Sequence, residues 1–329
     1  MTKNGEYADR AVHFSTDTVP ARDRLPYFRE AFGRSTARVE LAPVEGRPLG
    51  WSASFYSFDG LGVISGQTNG VTCRRTQQLL TDGNDDFLFT ASLSGASLAF
   101  QVGRECRLGP GDAVLKSSSD VGGHDFSGPA HYLTLRIPRR RLNGMAVKPE
   151  DALARPIPAN TETLRLLVDY VKATLRNHPV TSPPLRRLFT THVHDLVALA
   201  VGATRDMSDV AHRRGLQAAR LNAIKGDIIT GLAGERLDIA GIARGRGVTP
   251  RHVQMLFESE GTTFTEYVLE QRLTRAHRML TDPAFSHWTI SAIAFEVGFE
   301  NMSYFNRVFR RNFGCTPSDM RAAAKTAAS

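Results

Sequence analysis

Two stretches of this chain carry one pattern: a short helix with an apolar stripe, a glycine, and a second helix with one apolar and one polar face. In the C-terminal copy, Ile290, Ile293, Ala294 and Val297 fall at i, i+3, i+4 and i+7, the spacing of a helix that buries one side. Gly298 follows as the left-handed residue that ends it. Beyond the turn, Phe305, Val308 and Phe309 share one helical face, while Ser303, Asn306, Arg307 and Arg310 share the other. About fifty residues upstream, Ile239, Ile242 and Ala243 form the first stripe and Gly247 takes the place of Gly298. Thr249 suits a helix cap there and Pro250 a first helical position. Val253, Leu256 and Phe257 then face a core, with Arg251, Met255 and Glu258 outward and His252 and Gln254 on the flanks.

An amphipathic helix with a basic face has a bland reading as a solvated surface. It also has a specific one, because Arg pairs with guanine and Asn with adenine in the DNA major groove. Repetition favours the second. Between the copies, Leu269, Leu273, Ala276 and Leu280 keep helical spacing over Phe264 to Leu280. At about 1.5 Å per residue such a helix separates the two units by roughly one DNA turn.

The segment from Leu216 to Ala323 resembles the DNA-binding domain of the AraC/XylS family of bacterial transcription regulators. The resemblance is carried by Ala294, Gly298-Phe299, Ser303-Tyr304-Phe305, Arg307, Phe309-Arg310-Arg311, Phe313-Gly314 and Thr316-Pro317. In the first motif it is carried by Ala243, Gly247, Pro250-Arg251, Gln254 and Leu256-Phe257. It implies one monomer placing two recognition helices in successive major grooves of promoter DNA. Base contacts would come from Arg251, Gln254 and Met255, then from Ser303, Asn306 and Arg307, with Arg310 and Arg311 also on the DNA. Met255 departs from the Arg frequent at its position, which favours contact with a thymine methyl over hydrogen-bond readout. Glu258 and Glu260 are unfavourable beside phosphates, so the first motif is expected to bind more weakly than the second. An activator of this kind is also expected to engage RNA polymerase.

The composition suits that reading. The 329 residues are enough for two domains, and the net charge of +8 suits a polyanionic partner. From Arg213 onward there are sixteen Lys and Arg against eleven Asp and Glu, so most of the basic excess sits with the repeated motifs. Cys73, Cys106 and Cys315 are the three cysteines, an odd count without CxxC spacing that speaks against a disulfide framework or a zinc site. The start of the chain lacks the apolar core of a signal peptide, and the longest apolar stretch, near Leu196 to Ala203, is too short to span a bilayer. A cytoplasmic protein with no membrane contact and no cofactor is expected.

From Trp51 to Pro138 the texture changes to short runs broken by Gly, Asn and Asp. Phe87 to Leu93, Ala96 to Val102, Asp112 to Leu115 and His131 to Ile137 read as strands, with turns at Gly103 and at Leu108 to Asp112. Serial short strands predict an antiparallel sandwich or barrel. The turn spacing, with Leu133-Thr-Leu-Arg-Ile-Pro138, resembles the cupin-like effector domain of the same family. That implies a small organic effector, and the subgroup points to an aromatic one. Phe55, Phe89 and Tyr132 are candidate lining residues, with Arg75, His124 and His131 as polar anchors. The inward set depends on register, because a one-residue slip exchanges the two faces. Two other readings stay open: a barrel serving only for protein interaction or dimerisation, and a cupin-type enzyme with a DNA-binding tail. Catalysis is not expected. Metal-dependent cupins need a His-x-His with Glu and a later His, whereas this region holds His124 and His131 alone. His192-x-His194 lies on a predicted helix whose i and i+2 positions diverge. Cys73, next to Arg74 and Arg75, is either an activated thiolate or a structural residue, the latter favoured.

Two further stripes follow, Leu164, Leu167, Val168, Val171 and Leu175, then Leu185, Leu188, Phe189, Val193 and Leu196. These helices either close the barrel or form the homodimer contact that the resemblance implies. The expected organisation is a cupin-like antiparallel β-barrel over 1–155, flanking helices over 156–202, a linker over 203–215, and an all-α double helix-turn-helix domain over 216–329.

Overall fold

A computed structural model of the chain describes residues 11–47, 49–177, 180, 182–203, 215–232 and 237–327. The expected linker therefore falls, from 204 to 214, outside the described residues. The chain divides into two compact units, Met1–Ala219 and Arg220–Ser329.

In the first unit, strands β1 (Val12–Ser15), β3 (Trp51–Phe58), β4 (Leu61–Thr68), β6 (Phe87–Ser94), β9 (Ala113–Ser117), β11 (Ala130–Ile137) and β12 (Pro156–Ile157) form one sheet, ordered β1-β3-β4-β11-β6-β9-β12. Strands β2 (Glu40–Pro43), β5 (Val71–Arg75), β7 (Ser97–Gln101), β8 (Arg104–Leu108) and β10 (Gly122–Phe126) form the second, ordered β2-β5-β10-β7-β8. All these strand pairings are antiparallel. The sheets face each other, because one buried cluster joins Trp51, Ala53, Phe55, Ile64 and Tyr132 of the first to Leu41, Val71 and Phe126 of the second. Helix α1 (Arg24–Ser35) adds Phe28, stacked on Trp51 at 4.1 Å. Burying such side chains is worth about 1.5–3 kcal/mol each. The polar atoms inside this cluster are also satisfied: Trp51 Nε1–H donates to Tyr132 Oη at 2.7 Å.

The first sheet is covered on its other face too. After the short α2 (Arg139–Asn143), helices α3 (Glu162–Asn177) and α4 (Pro183–Val201) follow, and Phe189 of α4 packs on Phe58 at 4.7 Å. Leu164, Leu167, Val171, Phe189, Val193 and Leu196 are buried as their spacing demands. Leu185 and Leu188 are not: they lie 56% and 50% exposed, off the buried face of α4.

The second unit is helical: α5 (Gln217–Gly231), α6 (Ile239–Gly245), α7 (Pro250–Glu258), α8 (Phe264–Thr281), α9 (Ile290–Glu296), α10 (Met302–Phe313) and α11 (Pro317–Ala327). It holds two cores threaded by α8. Phe264 and Val268 belong to the first, with α5, Ala243, Val253, Leu256 and Phe257. Leu273, Ala276, Met279 and Leu280 belong to the second, with Ile293, Ala294, Val297, Phe305, Val308 and Phe309. A capping box between Thr263 and Glu266 fixes where α8 starts.

Candidate nucleic-acid interface and barrel cavity

Each motif in the second unit is built the same way. Asp238 caps α6 and Thr289 caps α9, accepting from the amides of Gly241 and Ala292 at 2.5 and 3.0 Å. Gly247 and Gly298 then turn the chain at φ +65° and +92°. Such φ values disfavour any residue with a Cβ. Thr249 caps α7 through the amide of His252 at 3.1 Å, and Asn301 caps α10 through that of Tyr304 at 2.9 Å. Ion pairs tie each first helix down: Arg246 grips Asp227 of α5 at 2.5 and 2.6 Å, and Arg275 of α8 meets Glu296 at 3.1 Å.

With Val253, Leu256 and Phe257 buried, α7 turns Arg251, Gln254 and Met255 outward. With Phe305, Val308 and Phe309 buried, α10 exposes Ser303, Asn306, Arg307, Arg310 and Arg311. All eight candidate residues thus lie on solvent-facing surface. No carboxylate pairs with Arg251, Arg307, Arg310 or Arg311 among the described residues, and Arg307 lies over the Tyr304 ring at 5.5 Å. Arg310 and Arg311 occupy the last turn of α10, where the helix dipole favours cations. Glu260, expected to disturb the first motif, lies beyond α7 and is engaged by Lys225.

The barrel treats its six candidates differently. Phe55 and Tyr132 point inward, but into the filled end with Trp51 and Phe28. Phe89 sits on the opposite face of β6 from Leu88 and Thr90. The register settles this: Thr90 pairs with Thr134, whose hydroxyl it meets at 3.0 Å, and Phe89 pairs with Leu135 and Leu115. His131 is exposed, so it is no interior anchor. Arg75 is buried and its donors are consumed by Asp82 at 2.6 and 2.8 Å and by the carbonyls of Ser118 and Arg38. Those bonds hold the Asp82 carboxyl below its usual range.

His124 does line a partly open cavity of about 40 Å³, together with Cys73, Arg75, Leu88, Gln101, Lys116 and Ser118. Its ring stacks on Phe126 at 4.5 Å and its Nε2 meets Ser97 Oγ at 3.0 Å. Burial holds the imidazole well below its ordinary pKa, so it is neutral. Burial pushes the Cys73 thiol up to about 12, the reverse of the activation weighed for it beside Arg74. The enclosed space takes about three waters, less than the volume of an aromatic ring. Lys116 and Ser118 were missed by sequence reasoning. The available signal was a lysine in the apolar run Ala113-Val-Leu-Lys-Ser, in phase with Val114 rather than Leu115.

No group of His, Cys, Asp and Glu able to hold a metal occurs among the described residues, and no described helix is long and apolar enough to cross a membrane.

An AraC-binding-like domain model matches residues 28–201 and a helix-turn-helix domain model residues 242–323. Over 175 residues the chain is 34% identical to the transcriptional activator RhrA of Rhizobium meliloti (strain 1021), covering 53% of this chain and 54% of that protein. The match thus spans about half the length of RhrA. The transcriptional activator NphR of a Rhodococcus species is 27% identical over 256 residues, covering 74% of this chain and 72% of its own. The crystal structure of the AraC-like transcriptional activator CuxR superposes with a TM-score of 0.50 at 15% identity, over 80% of this chain and 94% of that one, a likeness of fold. With one of the two domain models spanning more than half its length, this chain belongs to the AraC family of transcription regulators.

Proposed function

We propose that the chain is an effector-responsive activator that reads promoter DNA through α7 and α10 in adjacent major grooves. The observation that carries this reading is the pair of outward faces, each with arginine and amide side chains, on motifs whose cores share one helix. Held through α8, whose eighteen residues span about 27 Å, the two helices address sites roughly one helical turn apart. Arg307 and Asn306 supply base readout in the second site. Arg251, Gln254 and Met255 do so in the first, and Arg310 and Arg311 anchor phosphates. The barrel binds a small molecule, the protein acts as a homodimer through the surface carrying Leu185 and Leu188, and bound protein engages RNA polymerase. The chain has no catalytic role in this reading. In vitro selection of random duplexes with the full-length protein tests it. A bipartite consensus with half-sites about one turn apart is expected, and recovery of no consensus defeats it.

A further inference from the structure

The cavity at the unfilled end of the barrel has a composition its packing role does not explain. Lys116, on the inward side of β9, lines it and keeps partial exposure. No carboxylate pairs with its Nζ among the described residues. The acid that acts on it electrostatically, Asp125, is held in a two-pronged ion pair by Arg74. Arg75, the other cation in the wall, is consumed by Asp82. Ser118 lines the same cavity, is 2% exposed, and its Oγ has no hydrogen-bond partner. His124 uses Nε2 on Ser97, and no described residue bonds its Nδ1. A half-buried cation without a paired counter-ion carries part of the desolvation cost, and a buried hydroxyl without a hydrogen-bond partner carries it in full. One ligand relieves both costs: an anion whose oxygens accept from an ammonium and a hydroxyl together.

On the reading of the barrel as an effector domain, we infer that this cavity binds a small monocarboxylate, its oxygens accepting from Lys116 and Ser118 and its body resting on Leu88 and His124. The room for about three waters sets the scale at a few heavy atoms. Burial brings Lys116 down to about 8, with Cys73 and Asp125 opposing the shift. The charged groups facing the site are therefore Lys116, the Arg75–Asp82 pair and the Arg74–Asp125 pair, while His124 and Cys73 stay neutral at pH 7. Carboxylate binding needs both the ammonium and the ionised ligand, so affinity is level from about pH 5, where a small carboxyl ionises, to about pH 8. Above it, affinity falls by about tenfold per pH unit until the pKa of the liganded lysine is reached.

The test is calorimetric titration and thermal shift of the full-length protein in carboxylate-free buffer with acetate, pyruvate and benzoate. Acetamide and sulfate serve as neutral and inorganic controls, and a broad neutral metabolite library runs in parallel. At least one of the two small carboxylates is expected to bind and stabilise, while acetamide, sulfate and benzoate do not. Lys116→Met, which keeps volume and removes a buried charge, is expected to lose at least about tenfold in affinity with unchanged circular dichroism. Ser118→Ala is expected to lose a smaller factor. Equal carboxylate affinity in Lys116→Met, or sulfate binding as tightly as acetate or pyruvate, overturns the assignment. If a neutral metabolite stabilises while carboxylates are inert, this proposal fails and the effector reading stands. If nothing stabilises, both fall.

Discussion

Arg307 and Arg311 lie on the same helix with different prospects. Arg307 stands beside Asn306 at the centre of the exposed face and is steered by the Tyr304 ring. Arg311 lies one turn later on its flank. Arg307→Ala is expected to cost about 1–3 kcal/mol on a selected site and far less on random duplex. Arg311→Ala is expected to weaken both alike and to reduce the salt slope by about one. Anisotropy titrations on the two DNAs across a salt series measure this, and equal losses for Arg307→Ala on both would remove it as a base reader. These residues were legible in the sequence because a helix with one buried face leaves no ambiguity about the other: three buried positions, Phe305, Val308 and Phe309, fix all the rest. Residues of the barrel were not. In the run Phe87-Leu-Phe-Thr-Ala, Phe87, Phe89 and Ala91 are buried on one face and Thr90 on the other, with Leu88 half-buried, so apolar character says nothing about direction. Only the pairing of Thr90 with Thr134 puts Phe89 outside the barrel interior and Leu88 inside.

At the scale of elements, the helices of both motifs, α8 and the stripes of α3 and α4 follow from 3.6-residue periodicity, whereas β3, β4, β5 and β10 went unread. Their sequences are rich in Ser, Gly, Thr and Arg, and only pairing with neighbours makes strands of them. Helix α4 shows the limit of periodicity as well. Leu185 and Leu188 keep apolar spacing yet are exposed, while Leu167 of α3 is fully buried. Dimerisation is therefore probed at Leu185 and Leu188 and not at Leu167. The double Leu185→Glu, Leu188→Glu protein is expected to sediment as a monomer with unaltered circular dichroism where the wild type is a dimer at micromolar concentration. An unchanged dimer would move the contact elsewhere. The same helix gives the barrel unit an acid limit. Burial, then the charge of Arg141, brings His194 down to about 4, against the carbonyl of Gly60. Unfolded, it titrates near 6.5, so between those values the unfolded state binds more protons. The stability from its neutral form is complete above about pH 6.5 and is lost as pH falls toward 4, by on the order of 3 kcal/mol. Urea unfolding followed by Trp51 fluorescence in a Trp288→Phe background should show about 2 kcal/mol of this loss between pH 7 and 5. His194→Gln should flatten it, and an equally steep profile in that variant would place the acid sensitivity elsewhere.

For the whole molecule, the division into two units means that response and recognition are separable. Both cores of the second unit are made from its own helices, so residues 216–329 are expected to fold cooperatively when expressed alone and to select the same bipartite DNA as the full chain. What that fragment lacks is any means of responding to a ligand. An effector moves DNA affinity only by the difference in its binding to the DNA-competent and incompetent arrangements of the protein, and the coupling is reciprocal. The full-length protein should therefore change its affinity for the selected duplex by about 5- to 150-fold on saturation with the carboxylate that stabilises the barrel, the range usual for allosteric coupling. DNA should shift the affinity for that carboxylate by the same factor. The 216–329 fragment should show neither effect, and Lys116→Met should need at least about tenfold more ligand than the wild type for the same change in DNA affinity. Anisotropy and calorimetry on the same samples give both halves of the cycle. A ligand that stabilises the barrel yet leaves DNA affinity unchanged would separate binding from regulation and leave the cavity without a role in transcription.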